Sequence, residues 1–116
     1  MKIIASDYDG TLNHKGIDDK KRNAIKEWRE KGNKFGIVSG RVVDDLLKIY
    51  KKDELDLDFL LACNGAVILT TDGKILKEDR IDGDILKPLL DFLFFLGADW
   101  ATIQSDKNYI IDENDN

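Results

Sequence analysis

Over its first half the chain alternates short apolar runs with amphipathic stretches. Lys2 to Ser6 contains two Ile and predicts a buried strand. Asp7 to Gly16 is rich in Asp, Gly and Asn, which marks a loop. Asp18 or Asp19 can cap a helix running to about Lys31, with Ala24, Ile25 and Trp28 as its apolar stripe and Gly32 at its C-terminal end. Phe35 to Val38 predicts a second strand. Ser39-Gly40 then turns into a second helix, where Val43, Leu46, Leu47 and Tyr50 recur at i, i+3, i+4 and i+7. "FLLAC", 59–63, predicts a third buried strand closed by Asn64-Gly65. Strands alternating with helices imply a parallel sheet with right-handed crossovers, a Rossmann-like α/β fold.

After Gly65 the pattern changes. "AVILTTDGKILKED" reads as a hairpin, 66–78, around Asp72-Gly73, a two-residue turn signal. Asp84 to Leu96 predicts a helix, with Pro88 near its first turn and Gly97 ending it. Phe92, Phe94 and Phe95 fall on several faces of that helix, which is too apolar to be solvated. Core burial is the first expectation; a surface covered by further chain, or self-association through 84–96, is the second. "WATIQSDKNYIID" predicts two short strands around Ser105-Asp106. The shift to antiparallel texture near residue 80 divides the chain into a core, 1–80, and the opening of a smaller α+β module, 81–116.

Composition narrows the setting. A length of 116 residues favours a single core domain, and hydrophobic content of 42% is ordinary for a globular protein. The formal charge of -5 argues against a nucleic-acid partner, which would call for a basic stripe. No run approaches the ~18 apolar residues of a membrane span. "MKIIASDYDG" turns acidic too soon for a signal peptide. The lone Cys63 cannot form an internal disulfide, which suits a reducing cytoplasm, and it reads as a buried thiol at a strand end. Trp28 and Tyr50 read as packing, and His14 as an exposed loop residue without catalytic work.

The candidate chemistry lies where the first two strands end. If they run parallel side by side, their carboxyl ends meet at one edge of the sheet, where open α/β sheets bind ligands. Asp7 and Asp9 follow the first strand there and Ser39 the second. Two residues apart on an extended tip, the aspartates can point to the same side. Their mutual repulsion calls for a cation, and Mg²⁺ prefers oxygen ligands with few carboxylates. Ser39 offers a hydroxyl, and Gly40 and Arg41 open a helix whose free N–H groups favour an anion. Carboxylates, metal, hydroxyl and helix terminus together make a phosphate site, with a carboxylate nucleophile passing through an aspartyl-phosphate. The plainer readings are an acidic turn for Asp7 and Asp9, a helix cap for Ser39 and a solvated side chain for Arg41.

"DYDGTL" resembles the first motif, DxDGT, of the haloacid dehalogenase-like (HAD) hydrolases. "VSGR" resembles the second, a strand ending in Ser or Thr. "ACNGA" followed by a hairpin is similar to the Cof-type branch, whose caps lie between the second and third motifs. The resemblance covers essentially the whole chain. It implies an Mg²⁺-dependent phosphatase acting on a small phosphorylated metabolite. Asp7 would be nucleophile and metal ligand. Asp9 would be the general acid and later activate water, its backbone carbonyl also reaching the metal. Ser39 would hold the transferring phosphoryl group, and Asn64 and Gly65 would line the entrance.

The family's third motif is a Lys and its fourth an acidic pair, both after the cap in this branch. The sequence ends at Asn116, about where a cap would be half built, so the expectation is half a core plus the start of a cap, with little turnover alone. A second parse takes Lys87 as the phosphate Lys and Asp112 and Asp115 as metal ligands of a capless minimal enzyme. Against it stand Ile111 where a Gly usually precedes the acid, the lack of a covering helix, and the hairpin texture of Trp100 to Ile111. Further alternatives are a phosphotransferase sharing the first motif and a non-catalytic phosphate-binding remnant. A receiver domain is disfavoured because the third strand ends in Asn64, without the Asp that fold phosphorylates.

Overall fold

The computed structural model describes residues 1–105 and 107–115. Strand β1 (Ile3–Asp7) leads into helix α1 (Asp19–Glu30), strand β2 (Lys34–Val38), helix α2 (Val43–Asp53) and strand β3 (Phe59–Ala62). A one-turn 3-10 helix (Cys63–Gly65) then reverses the chain into β4 (Val67–Leu69) and β5 (Ile75–Glu78). Helix α3 (Gly83–Phe95) and strands β6 (Trp100–Gln104) and β7 (Asn108–Asp112) follow. Of the two candidate caps for α1, Asp18 is the N-cap, its side chain accepting from the Lys21 N–H at 2.9 Å.

The five strands β1 to β5 form one sheet in chain order. β1, β2 and β3 are parallel, and β4 and β5 are added antiparallel, so the α/β core expected from the sequence is present as a mixed sheet. The core holds Ile25 of α1, Leu46 of α2 and the inward residues Ile37, Leu60, Ala62 and Leu69, with Trp28 and Tyr50 packed against it. Trp28 also donates its indole N–H to the Lys34 carbonyl (2.8 Å), tying α1 to the start of β2.

β1 departs from expectation. Among the described residues it pairs only with β2, at the edge of the sheet, and Ile3 and Ile4 are 62% and 39% exposed rather than buried. Its apolar sequence suits burial, but strand order is a tertiary property that a run of Ile does not encode. The hairpin 66–78 is also longer-looped than a two-residue turn. Residues 70–74 close it, with Thr70 N–H donating to Lys74 O (2.8 Å) and the Thr70 hydroxyl bonded to Asp72. Among the described residues β6 and β7 pair only with each other, in a separate two-stranded sheet. Asp106 of the predicted turn between them lies outside the described residues. No side chain of α3 is buried, and Phe95 is 84% exposed, so core burial of this helix is not found.

Gly36 sits mid-strand in β2, in register with Phe59 of β3. A Cβ there would lie 2.3 Å from the Phe59 ring. Gly36→Ala is expected to lower stability by about 1–3 kcal/mol through overpacking. Denaturant midpoints check it, and Phe59→Ala in the same chain should recover part of the loss.

Candidate functional site

Asp7 is the last residue of β1 and stands in register with Val38, the residue before Ser39. Both therefore lie at the carboxyl end of the parallel strands. β1 ends at Asp7, the chain turns at Tyr8, and the Tyr8 side chain is buried. Tyr8 is 2% exposed, donates its hydroxyl to the Asp53 carboxylate at the end of α2, and accepts from Asn13 Nδ2 (2.9 Å). Burial, followed by the Asp53 hydrogen bond, pushes the Tyr8 hydroxyl above its ordinary pKa, so it stays protonated as the donor. Tyr8 is thus buried between two exposed aspartates, Asp7 and Asp9.

The loop then folds on itself. Gly10 takes φ +77°, a left-handed turn that a side chain would strain. Thr11 and Asn13 donate their N–H groups to Tyr8 O at 3.2 and 2.9 Å. The Thr11 hydroxyl donates to Asp7 Oδ2 (2.9 Å), orienting that carboxylate.

Ser39 is the one buried polar residue among those described. Its N–H donates to Leu61 O (2.9 Å), extending the ladder past β2, and its hydroxyl accepts from the Arg41 N–H (3.1 Å). Gly40 and Arg41 do not open α2, which begins at Val43 after Val42 as N-cap. The reason is visible in the hydrogen bonds. Ser39 O accepts from Asn64 N–H and Arg41 O from Cys63 N–H, each at 2.9 Å, so these carbonyls strap the corner to the 3-10 turn instead of starting a helix. Anion binding by a helix N-terminus at Gly40 and Arg41 is therefore not found; these residues form a bend ahead of α2, with the Arg41 N–H on Ser39 Oγ.

Asn64 holds φ 57°, ψ 32°, a left-handed conformation that Asn tolerates better than most residues. Its side-chain oxygen sits 3.0 Å from where a Cβ on Gly40 would lie, so Gly40 is small because Asn64 covers it. Gly65 completes the turn. Cys63 begins this turn rather than ending β3, and burial pushes its thiol up, which makes it a poor nucleophile.

One contact joins the two halves of the site. Arg41 Nε and Nη2 donate to Asp9 Oδ2 and Oδ1, both at 2.8 Å. The guanidinium holds the Asp9 carboxyl below the usual carboxylate range. All seven residues singled out by sequence, Asp7, Asp9, Ser39, Gly40, Arg41, Asn64 and Gly65, thus gather at one rim. Two contributors had no sequence signal: Tyr8, buried between the acidic pair, and Gln104 of β6, whose Nε2 donates to Gly40 O at 2.7 Å.

Lys87, Asp112 and Asp115 are elsewhere. Lys87 pairs with Asp91 on its own helix (3.0 Å), and Asp112 ends a strand outside the main sheet. Lys87 and Asp115 line an open groove between α3 and the β6–β7 hairpin, in whose lining none of the seven takes part. The capless-enzyme parse is corrected accordingly, since it needs an acidic strand end beside β1.

Magnesium keeps several waters and is held by one or two carboxylates plus a phosphate. Asp7 fits that requirement, with Thr11 orienting it from one oxygen. Asp9 has its carboxylate on Arg41, so its backbone carbonyl is the donor consistent with this arrangement. Among the described residues no three His, Cys, Asp or Glu side chains cluster.

A mixed sheet whose parallel strand ends carry an acidic loop and a Ser-Gly-Arg corner on one rim has the architecture of an α/β hydrolase core. The chain belongs to the haloacid dehalogenase-like hydrolase family, whose model matches residues 4–116. It is similar in fold to a haloacid dehalogenase-like hydrolase from B. subtilis, with 23% identity and TM-score 0.76, covering 100% of this chain and 40% of that one. A phosphatase of the superfamily from Bacteroides thetaiotaomicron has 21% identity and TM-score 0.76, over 95% and 41% of the two chains. A subclass IIB sugar phosphatase has 20% identity and TM-score 0.67, over 95% and 44%. The chain spans about two fifths of the length of these structures. No curated protein sequence matches it. Among the described residues no helix is long and apolar enough to cross a membrane.

Proposed function

We propose that this chain carries the nucleophile half of a Cof-type, Mg²⁺-dependent phosphatase for a small phosphorylated metabolite. Residues 1–80 form the core and 81–116 open the α+β cap. The observation that carries the reading is the rim itself: Asp7 and Ser39 at adjacent parallel strand ends, with Arg41 reaching Asp9 across them. A sugar phosphate is the first substrate class to test, because a neighbour of the same fold is described as a sugar phosphatase. The cytoplasm is the compartment proposed, on the unpaired Cys63 thiol.

In this reading the Asp7 carboxylate attacks phosphorus and the ester oxygen leaves with a proton from Asp9. Asp9 then removes a proton from the water that opens the acyl phosphate on Asp7. The Ser39 hydroxyl and the Gly40–Arg41 bend beside it hold the phosphoryl oxygens, while Asn64 and Gly65 border the entrance. Asp7 and the Asp9 carbonyl would hold Mg²⁺, which supplies charge neutralisation where phosphate meets carboxylate.

A second reading, a non-catalytic phosphate-binding remnant, is favoured by one observation: both oxygens of Asp9 are engaged by Arg41. Calorimetric Mg²⁺ titration and a phosphate-release assay on sugar phosphates separate the two. The phosphatase reading expects Mg²⁺ binding that weakens roughly tenfold or more in Asp7→Ala, and release of phosphate that needs the metal. Phosphate binding with no release from any substrate by the complete enzyme would favour the remnant. Mg²⁺ affinity indifferent to Asp7 would remove the metal assignment.

A further inference from the structure

We propose that Arg41 is a positioning residue shared between Asp9 and the substrate phosphate, so that an incoming phosphate takes the guanidinium and releases the Asp9 carboxylate. The inference rests on the phosphate-site reading above and goes beyond it by giving Arg41 two alternating partners.

The geometry favours exchange over a fixed brace. The backbones at both ends are anchored. Arg41 gives its N–H to Ser39 Oγ (3.1 Å) and its carbonyl accepts from Cys63 (2.9 Å). Asp9 sits between buried Tyr8 and Gly10, whose N–H donates to Asn13 O at 3.0 Å. Only the two side chains are free to part. They are 41% and 56% exposed, and an ion pair so wet holds its partners by about 1 kcal/mol or less.

The guanidinium is a planar fork that fits carboxylate and phosphate in the same bidentate way. A phosphate monoester carries more charge than a carboxylate and offers three acceptor oxygens, so it is the stronger claimant for one fork. Arg41 starts from the same corner as the Ser39 hydroxyl, because its own N–H is bonded to that oxygen. A modest rotation of the side chain therefore exchanges one anion for the other without moving the backbone. The consequence is ordered: the Asp9 carboxylate parts from Arg41 when phosphate is seated.

The test is calorimetric titration of the purified chain with inorganic phosphate at fixed salt, for the wild type, Asp9→Asn, Arg41→Gln, Asp9→Asn/Arg41→Gln and Ser39→Ala. Asp9→Asn is expected to bind phosphate roughly fivefold tighter, because the competing carboxylate is gone. Arg41→Gln should bind about tenfold more weakly than wild type. In the Arg41→Gln background the Asp9→Asn gain should vanish, which is the coupling a shared fork produces. A gain of the same size in that background would be simple relief of carboxylate repulsion and would overturn the proposal. Phosphate binding that weakens in Ser39→Ala and ignores Asp9→Asn would overturn it too, leaving the phosphate site intact. Absence of any Ser39-dependent phosphate binding would overturn both the sharing and the site. The Arg41 Nε–H resonance gives a second readout: it should shift on adding phosphate to the wild type, and an unmoved signal at saturation counts against exchange.

Discussion

In the complete enzyme, Asp7→Asn is expected to remove phosphate-ester hydrolysis, by roughly 10⁴-fold or more relative to the unsubstituted protein, because Asp7 is the carboxylate at the end of β1 that attacks phosphorus. The change is close to isosteric. Asn keeps an oxygen able to accept from the Thr11 hydroxyl that now bonds Asp7 Oδ2, and position 7 is exposed at the sheet edge. Stability should therefore move by less than about 0.5 kcal/mol, as for a surface substitution. Steady-state phosphate release and a denaturant melt measured on the same preparation check both halves. Turnover surviving in a folded Asp7→Asn protein would take the nucleophile away from β1.

The second large effect concerns the fold. Asp58 lies just before β3 and joins three elements. Its carboxylate accepts from Arg29 Nε (2.9 Å) and Nη2 (2.8 Å) on α1, and from the Phe35 N–H (2.9 Å) on β2. Its own N–H donates back to Phe35 O at 2.8 Å. The side chain is 14% exposed, so this is a mostly buried charge with its hydrogen bonds filled. Asp58→Ala is expected to cost about 3 kcal/mol, since it strands Arg29 with only the exposed Asp56 as ion partner and leaves the Phe35 N–H unpaired. Urea denaturation at neutral pH measures it; a loss below about 1 kcal/mol would mean that the clamp adds little.

The same residue predicts acid lability. The Arg29 hydrogen bonds lower the Asp58 pKa from an ordinary 3.8 to about 2. A carboxyl whose folded value is depressed stabilises the fold above its unfolded pKa. That stabilisation, about 2 kcal/mol, is fully present above pH ~4 and fades as pH falls through about 2. Asp58→Asn should flatten the stability profile in that window and leave its shape above pH 5 unchanged.

Much of the core was legible because burial and period agree there. The stripe of Leu46, Leu47 and Tyr50 packs as its spacing predicts, and Leu60 and Ala62 are buried in the third strand. What escaped depends on partners distant in sequence. The exposure of Ile3 and Ile4 follows from the edge position of β1, and no local pattern states which strand stands at an edge. The delayed start of α2 follows from carbonyls at Ser39 and Arg41 being claimed by residues 63 and 64. Arg41 read alone looks like a solvated helix residue; only the folded chain brings it to Asp9, 32 positions away. The Tyr8–Asp53 bond beside the acidic pair is equally non-local. The apolar character of α3 was plain in Phe92 and Phe95, but apolarity predicts a cover without saying where it comes from, and the helix stands exposed.

The central claim is that phosphate passes covalently through Asp7. Borohydride added while the complete enzyme turns over a sugar phosphate with Mg²⁺ reduces an acyl phosphate to the alcohol, and peptide mass mapping then locates it. The account predicts homoserine at position 7 and at no other position. Sustained phosphate release with position 7 unmodified, or with the reduced residue elsewhere, would contradict it.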